Sequence, residues 1–171
     1  MTATDPTCGV AHGDPAPGVT GRALVAVFAS PVAEVLLRWG AELGFRTLLL
    51  DPDPDRGADL TAFGALPGDL PEADVDVVVT DHHRPELGEV LRDALARRVR
   101  WVGVMGNPRH EGPHVAALAA LGLPPEEVAR VHRPIGLDIG SRTPAEIALS
   151  TLAGLLADRN GRSGGTAHRP R

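Results

Sequence analysis

The side chains best suited to chemistry in this sequence of 171 residues follow short apolar runs. They are Ser30 after ALVAVFA, Asp51 and Asp53 after RTLLL, Asp81, His82 and His83 after VDVVVT, and Gly106, Asn107 and Arg109 after WVGVM. Apolar runs of this length are typical of strands that are buried on both faces of a parallel sheet. Because ligands of open α/β sheets bind beyond the carboxyl ends of the strands, we expect these residues to share one edge and to line a pocket there.

A second polar group is a glycine-rich loop that precedes the most clearly signalled helix. Its members are Gly136, Asp138, Gly140, Ser141 and Arg142. Thr143 is suited to the N-cap and Pro144 to the first helical position, and Glu146 completes a capping box. Because a helix N-terminus carries partial positive charge and N–H donors, the loop and Thr143 predict an anion-binding site.

The turn after the first apolar run has the position of a dinucleotide-binding loop but not its residues. The G-x-G-x-x-G fingerprint lets the backbone approach a pyrophosphate, whereas this chain has Phe28, Ser30 and Ala33 in place of the glycines. Pro31 also removes an N–H donor from the start of the next helix. Asp51 lies where an acidic residue would bind a ribose hydroxyl. Binding of NAD(P) or FAD, as in an oxidoreductase, is thus an alternative that rests on one acidic residue and a degraded glycine fingerprint.

The sequence His110-Glu111-x-x-His114 has the spacing of a zinc-binding helix. Pro113 favours the first helical position, so that His110 precedes the helix and the two imidazoles do not share a face. We therefore expect surface histidines in a loop at this place, not a zinc protease.

A metal-dependent phosphoesterase is a second alternative function. Asp81, His82 and His83 resemble the signature of the DHH phosphoesterases, which hold two divalent metals with Asp and His side chains. That family also has an acidic residue after its first strand, where this chain has Ala29, Ser30 and Pro31. The simpler interpretation is that Asp81 caps a helix beside partly exposed histidines.

The periodicity of apolar residues predicts strands that alternate with helices. Strands are predicted at 23–29, 46–50, 75–80 and 101–105, with a short fifth strand or its remnant at 136–139. Helices are predicted at 31–43, 86–98, 113–121, 125–131 and 144–157. The alternation implies βαβ units and a Rossmann-like, doubly wound α/β fold with a mostly parallel sheet in a single domain. Residues 22–160 form this domain, and the tails 1–21 and 161–171 are expected to be disordered.

The predicted apolar helix faces include Val115 and Leu121 in the third helix and Leu149 in the last.

Composition narrows the class of protein. The net charge is −5, and no basic stripe with interleaved aromatic residues is present, so a nucleic-acid partner is not expected. No long apolar run or signal peptide is visible, which argues against a membrane partner. The single cysteine, Cys8, excludes an intramolecular disulfide framework and fits the reducing cytoplasm.

Three segments carry a likeness to a known family. They are VVVTDHHRPEL, WVGVMGNPRH and LGLPPEEVARVHRPIGLDIGSRTPAEIALSTLAGLLA, within a similarity that runs from about Leu24 to Ala157. In this order they resemble the Rossmann-type domain of the XdhC/CoxI family, accessory factors of xanthine dehydrogenase and carbon monoxide dehydrogenase. The resemblance implies a cytoplasmic accessory protein for maturation of a molybdenum hydroxylase, more a binding and delivery protein than a turnover enzyme. It implies binding of the molybdenum cofactor, molybdopterin, and partnership with the hydroxylase apoenzyme and a cysteine desulfurase, and it leaves a homodimer open.

With molybdopterin as the expected ligand, we assign cofactor binding to polar residues of the shared sheet edge and of the loop before the last helix. The residues assigned to cofactor binding are Ser30, Asp51, Asp81, His82, Gly106, Arg109, Asp138, Gly140, Ser141, Arg142 and Thr143. The loop before the last helix would receive the phosphate, Arg109 would add a second charge, and Asp51 and Asp81 would orient hydroxyl or pterin N–H groups.

The sequence departs from the family pattern in three places. FASPVA replaces the usual GAGHVA, and Asn107-Pro108-Arg109 replaces a Ser-Arg-Arg type of sequence. A tail with Cys8 stands where full-length members have an N-terminal domain, so we expect that domain's role to be absent or supplied by another chain.

Overall fold

The computed structural model describes residues 21–106 and 112–165, which form a parallel sheet with helices on both faces. The strands are β1 (Ala23–Val27), β2 (Arg46–Leu50), β3 (Val75–Val79), β4 (Trp101–Val104) and β5 (Val131–His132), in the spatial order β2-β1-β3-β4-β5. The helices are α1 (Pro31–Glu42), α2 (Leu87–Ala96), α3 (Pro113–Ala120), α4 (Pro125–Val128) and α5 (Pro144–Arg159). Short 3-10 turns occur at Pro54–Arg56, Phe63–Ala65 and Glu72–Asp74. The predicted Rossmann-like α/β fold is therefore confirmed.

The sheet is buried because alternate side chains of each central strand face different helices. In β1, Val25 and Val27 pack in a cluster with Leu91 of α2 and Leu118 of α3. Leu24 and Ala26 point to the other face, where a second cluster contains residues of α1 and α5. Burial of both faces explains the continuous apolar runs in the sequence and accounts for most of the hydrophobic stabilisation.

The predicted fifth strand at 136–139 was wrong. The fifth strand is Val131–His132, which pairs with β4, and residues 136–139 are loop. Gly136 has a φ of 87° and Gly140 a φ of 68°, and a left-handed backbone at these positions is incompatible with an extended strand.

Single residues on the predicted apolar faces of two helices are exposed instead of buried. Leu149 is 53% exposed, whereas Ser150 and Thr151 beside it are buried against the preceding loop. In α3, Val115 is 42% exposed and His114 is buried, against the expectation of surface histidines. Periodicity alone does not reveal that polar side chains can be buried by pairing with loop backbone.

A buried charge cluster lies at the amino-terminal edge of the sheet and was not predicted. Asp76 in β3 is fully buried, and its carboxylate accepts a bond from Arg100 Nε at 2.5 Å. Arg100 also donates to Asp158 of α5 at 2.6 Å. Burial raises the pKa of Asp76, although the neighbouring Arg100 opposes that shift. The cluster joins three elements at the edge opposite the predicted ligand site.

None of the helices within the described residues has both the length and the apolar character needed to cross a bilayer.

Candidate functional site

A cleft of about 1040 Å³ lies beyond the carboxyl ends of β3 and β4, where it is covered by the loop 134–142. Its polar lining consists of Thr80, His82, Asp138, Ser141, Arg142, Ser150 and Thr151. Its other lining residues are Val32, Met105, Gly106, Pro134, Ile135, Gly136, Leu137, Ile139, Gly140 and Ile147. An apolar wall with a few converging polar groups is the usual character of a small-molecule site, and the volume matches the upper end of such sites, roughly 1,000 Å³.

The loop over the cleft is held directly against α5 by two reciprocal hydrogen bonds. Leu137 N donates to Ser150 O at 3.1 Å, and Ser150 Oγ donates to Leu137 O at 2.7 Å. At Gly136 an added Cβ would lie 2.4 Å from Ser150 Oγ, and at Gly154 it would lie 3.3 Å from the Cα of Gly136. The small residues therefore allow the backbone of the loop to contact the helix, which fixes the roof of the cleft.

The start of α5 has the predicted capping box. Thr143 Oγ1 accepts from Glu146 N at 3.3 Å, and the Glu146 carboxylate accepts from Thr143 N at 3.1 Å and from Arg142 N at 2.6 Å. These backbone donors hold the pKa of the Glu146 carboxyl below its ordinary value. The anion position at the helix start is thus already taken by a carboxylate of the chain, a feature that the capping-box pattern could have indicated.

The polar groups of the turn after β1 form hydrogen bonds with other residues of the protein. Ser30 Oγ accepts from Ala33 N at 3.1 Å and lies 2.9 Å from Thr80 Oγ1, and Thr80 Oγ1 donates to Phe28 O at 2.8 Å. Phe28 has a φ of 71° and is fully buried. Phe28 thus adopts the left-handed backbone conformation that a glycine would favour. The hydroxyls of Ser30 and Thr80 join β1 to β3 at the sheet edge.

Asp51, the candidate ribose ligand, is fully buried and does not line the cleft. Its carboxylate accepts from Ala29 N at 2.9 Å and from Asp53 N at 3.1 Å. Arg84 contributes an ion pair at 3.3 Å, and its guanidinium lies 4.8 Å from the centre of the Phe28 ring. Asp51 therefore stabilises the turn after β2 instead of facing the cleft.

His82 is the imidazole that lines the cleft. Burial is the main factor that lowers its pKa, with smaller electrostatic contributions from His83 and Arg133, while the charge of Asp81 and a bond to the backbone of Met105 act in the opposite direction. A neutral imidazole that donates from one nitrogen presents the other as an acceptor. His82 therefore offers the cleft a hydrogen-bond acceptor.

Arg133 is a basic residue beside the cleft that sequence reasoning missed. An added Cβ at Gly106 would lie 2.6 Å from Arg133 Nη2, so the guanidinium packs on the backbone of that cleft residue. Its position in the RPIG sequence, directly before the glycine loop, is the signal that could have identified it.

The residues of the phosphoesterase alternative do not form a metal site within the described part of the chain. Asp81 Oδ1 accepts from His83 N at 2.9 Å and so closes a local turn, whereas α2 begins at Leu87. Within residues 21–106 and 112–165 no group of three or more His, Cys, Asp or Glu side chains could hold a metal ion. The described residues thus give the phosphoesterase alternative no metal site. His110 and Glu111 lie outside the described residues.

The predicted cofactor residues fall into three groups. Those that line the cleft are His82, Gly106, Asp138, Gly140, Ser141 and Arg142. Those that do not line it are Ser30, Asp51, Asp81 and Thr143. Arg109 lies outside the described residues. The expected pocket at the carboxyl edge is therefore present, with its centre on the loop before α5 instead of the turn after β1.

His114 makes stability depend on pH. Burial and, to a lesser extent, the charge of Arg133 lower its pKa from the ordinary 6.5, so the unfolded chain binds a proton that the folded chain resists. The associated stability is complete above 6.5 and is lost as the pH falls through the folded-state value. We expect His114→Gln to reduce this decline, as measured by urea unfolding between about pH 5 and 8. His132→Gln, at an exposed histidine, is the matched control, and parallel pH curves for wild type and His114→Gln would contradict the prediction.

Comparison with known proteins agrees with the fold and with the segments that form the cleft. A family model described as the XdhC Rossmann domain matches residues 24–155. The uncharacterized protein YqeB of Escherichia coli (strain K12) is 34% identical over 82 residues, which cover 48% of this chain and 15% of YqeB. The crystal structure of a xanthine dehydrogenase from Bacillus halodurans, at 2.80 Å resolution, superposes with a TM-score of 0.62 and 25% identity over 86% of this chain and 45% of that chain.

The chain spans less than half the length of each of these two relatives. The family model, in contrast, runs from the second residue of β1 through the cleft loop and into α5 as far as Leu155. On the strength of that match, the chain belongs to the XdhC Rossmann-domain family.

Proposed function

We propose that this protein is an accessory factor for maturation of a molybdenum hydroxylase and that its cleft binds the molybdenum cofactor for delivery to the apoenzyme. The observation that carries the proposal is a cleft of about 1040 Å³, roofed by the loop 134–142 of an XdhC-type domain. The similarity to a protein described as a xanthine dehydrogenase supports the choice of hydroxylase class. A cysteine desulfurase is the further partner that sulfuration of the cofactor would require.

The cleft fits a ligand that combines a flat polar ring with an anionic end. Its wall includes Met105, Ile135 and Ile147, which offer apolar surface to the faces of a ring. The lining also contains polar groups, with Ser141 and Arg142 on the loop and His82 after β3. A combination of apolar surface and polar groups is what a pterin with a phosphate needs.

The loop is the place for the phosphate. Gly140 and Ser141 have N–H groups that, in the described part of the chain, make no hydrogen bond, and Arg142 lines the cleft beside them without an ion pair. Glu146 already accepts from the N–H groups of Arg142 and Thr143, so the phosphate is expected to use the earlier part of the loop and the Arg142 guanidinium.

His82 is the residue that we assign to the ring of the ligand. Its acceptor nitrogen can receive a pterin N–H, and Asp138, which also lines the cleft, can receive another. Because the His82 pKa is lowered, the imidazole stays neutral at physiological pH and adds no charge where a ring N–H must be bound.

The test of the function is transfer of cofactor. Protein loaded with molybdenum cofactor is mixed with a purified molybdenum hydroxylase apoenzyme, and hydroxylase activity is measured over time. We expect activity to appear faster than with the same amount of free cofactor. Equal rates with and without the protein would contradict a role in delivery.

Arg142→Ala is expected to weaken cofactor binding about tenfold, since one charge-assisted bond to phosphate contributes roughly 1.4 kcal/mol. Arg142→Lys retains the charge without the planar fork and should lose less. Arg92→Ala is the matched control, because Arg92 is exposed on α2 and paired with Asp93. Affinity is measured by quenching of pterin fluorescence, and equal affinities for Arg142→Ala and Arg92→Ala would exclude the phosphate role.

A further inference from the structure

The strand order identifies where a nucleotide would bind if the sheet followed the usual rule. In the order β2-β1-β3-β4-β5, the direction of chain progression reverses between β1 and β3. Ligands of open α/β sheets bind in the crevice at this switch point. β3, β4 and most of the cleft lie on one side of the switch, although the cleft lining reaches Val32 at the start of α1. On the other side lies the turn after β1, which holds the pyrophosphate in dinucleotide-binding proteins.

The crevice on the β1 side is closed by side chains of the protein itself. The hydroxyls of Ser30 and Thr80 lie 2.9 Å apart across the switch point. Two of the first helical N–H donors are removed, because residue 31 is proline and Ala33 N is bonded to Ser30 Oγ. A pyrophosphate therefore lacks the free backbone donors that normally receive it.

The ribose position is occupied as well. Both oxygens of Asp51 accept bonds from backbone N–H groups, and Arg84 adds an ion pair at 3.3 Å. The same guanidinium covers the ring of Phe28. A ribose hydroxyl would have to displace Arg84, and that would leave a fully buried carboxylate without its counter-charge.

We infer that the cleft takes a ligand with a single terminal phosphate and excludes dinucleotides, including a dinucleotide form of the pterin cofactor. The assignment of the ligand as a pterin rests on the proposed function. The exclusion of dinucleotides rests only on the closed crevice. Among the described residues that line the cleft, Gly140, Ser141 and Arg142 form a group of anion donors that suits one phosphate.

The first experiment is calorimetric titration of the full chain with FAD and with NADH, using a nicotinamide-dependent dehydrogenase as the positive control for NADH. We expect no saturable binding of either compound up to about 1 mM. Saturable binding of FAD or NADH below that concentration overturns the inference. This result does not depend on whether the protein binds pterin.

The second experiment determines which form of the cofactor is retained. The protein is isolated from a bacterial host that makes both the phosphate monoester and the dinucleotide, and released pterin and nucleotide are quantified. Pterin without nucleotide supports the inference, whereas equimolar nucleotide overturns it. Absence of pterin contradicts the proposed function, and the titration then decides the exclusion of dinucleotides by itself.

Discussion

Replacing Gly136 with alanine is expected to lower the free energy of unfolding by about 3 kcal/mol and to disrupt the cleft. Gly136 has a φ of 87°, which costs a residue with a side chain roughly 1–2 kcal/mol. The added Cβ would also lie 2.4 Å from Ser150 Oγ and 3.0 Å from the Ser150 carbonyl carbon. The loop would have to move away from α5 and so break the reciprocal bonds of Leu137 and Ser150. Urea unfolding followed by circular dichroism measures the change.

Gly140→Ala is the matched control, because Gly140 is in the same loop and also has a positive φ. Its φ is 68°, but nothing lies within 4 Å of an added Cβ. The backbone strain alone should cost about 1 kcal/mol. Equal losses of stability for Gly136→Ala and Gly140→Ala would show that close contact with α5 does not hold the loop.

Arg84→Ala is expected to lower the free energy of unfolding by about 2–3 kcal/mol, because it removes the counter-charge of a buried carboxylate. Asp51 is fully buried and keeps its two backbone N–H bonds, which limits the loss. The variant also uncovers the ring of Phe28, over which the guanidinium lies. Thermal and urea unfolding at neutral pH measure the effect.

Arg46→Ala provides the comparison for Arg84. Arg46 forms an ion pair with Asp69 at 3.0 Å, but both side chains are exposed, and such pairs contribute roughly 0–1 kcal/mol. A loss for Arg84→Ala no greater than that for Arg46→Ala would contradict the view that the Asp51–Arg84 pair holds the turns after β1 and β2 together.

The fold could be predicted from the sequence because its signals are local. The runs at β1 and β3 are apolar apart from Asp76 and are buried along their whole length, as strands covered on both faces require. The helix starts are equally explicit, since Ser30-Pro31 and Thr143-Pro144 carry caps that the structure confirms. Local signals of this kind depend little on how distant parts of the chain pack.

The site could be predicted only in part, because its details depend on contacts between distant segments. The rule for carboxyl ends placed the cleft at the correct edge. The sequence did not reveal that Asp51 is paired with Arg84, 33 residues away, or that Leu137 and Ser150 bond to each other. It also misplaced the fifth strand, since the predicted segment contains Gly136, whose conformation is set by packing on α5.

The most direct test of the account is the amount of pterin that the purified protein retains. Wild type and the variants Arg142→Ala and Arg92→Ala are isolated from a host that makes molybdenum cofactor, and bound pterin is oxidised and quantified by fluorescence. We predict near-stoichiometric pterin in wild type and Arg92→Ala, and about tenfold less in Arg142→Ala after dialysis. Wild-type protein that retains no pterin, or variants that retain equal amounts, would contradict the assignment of the cleft as a cofactor site.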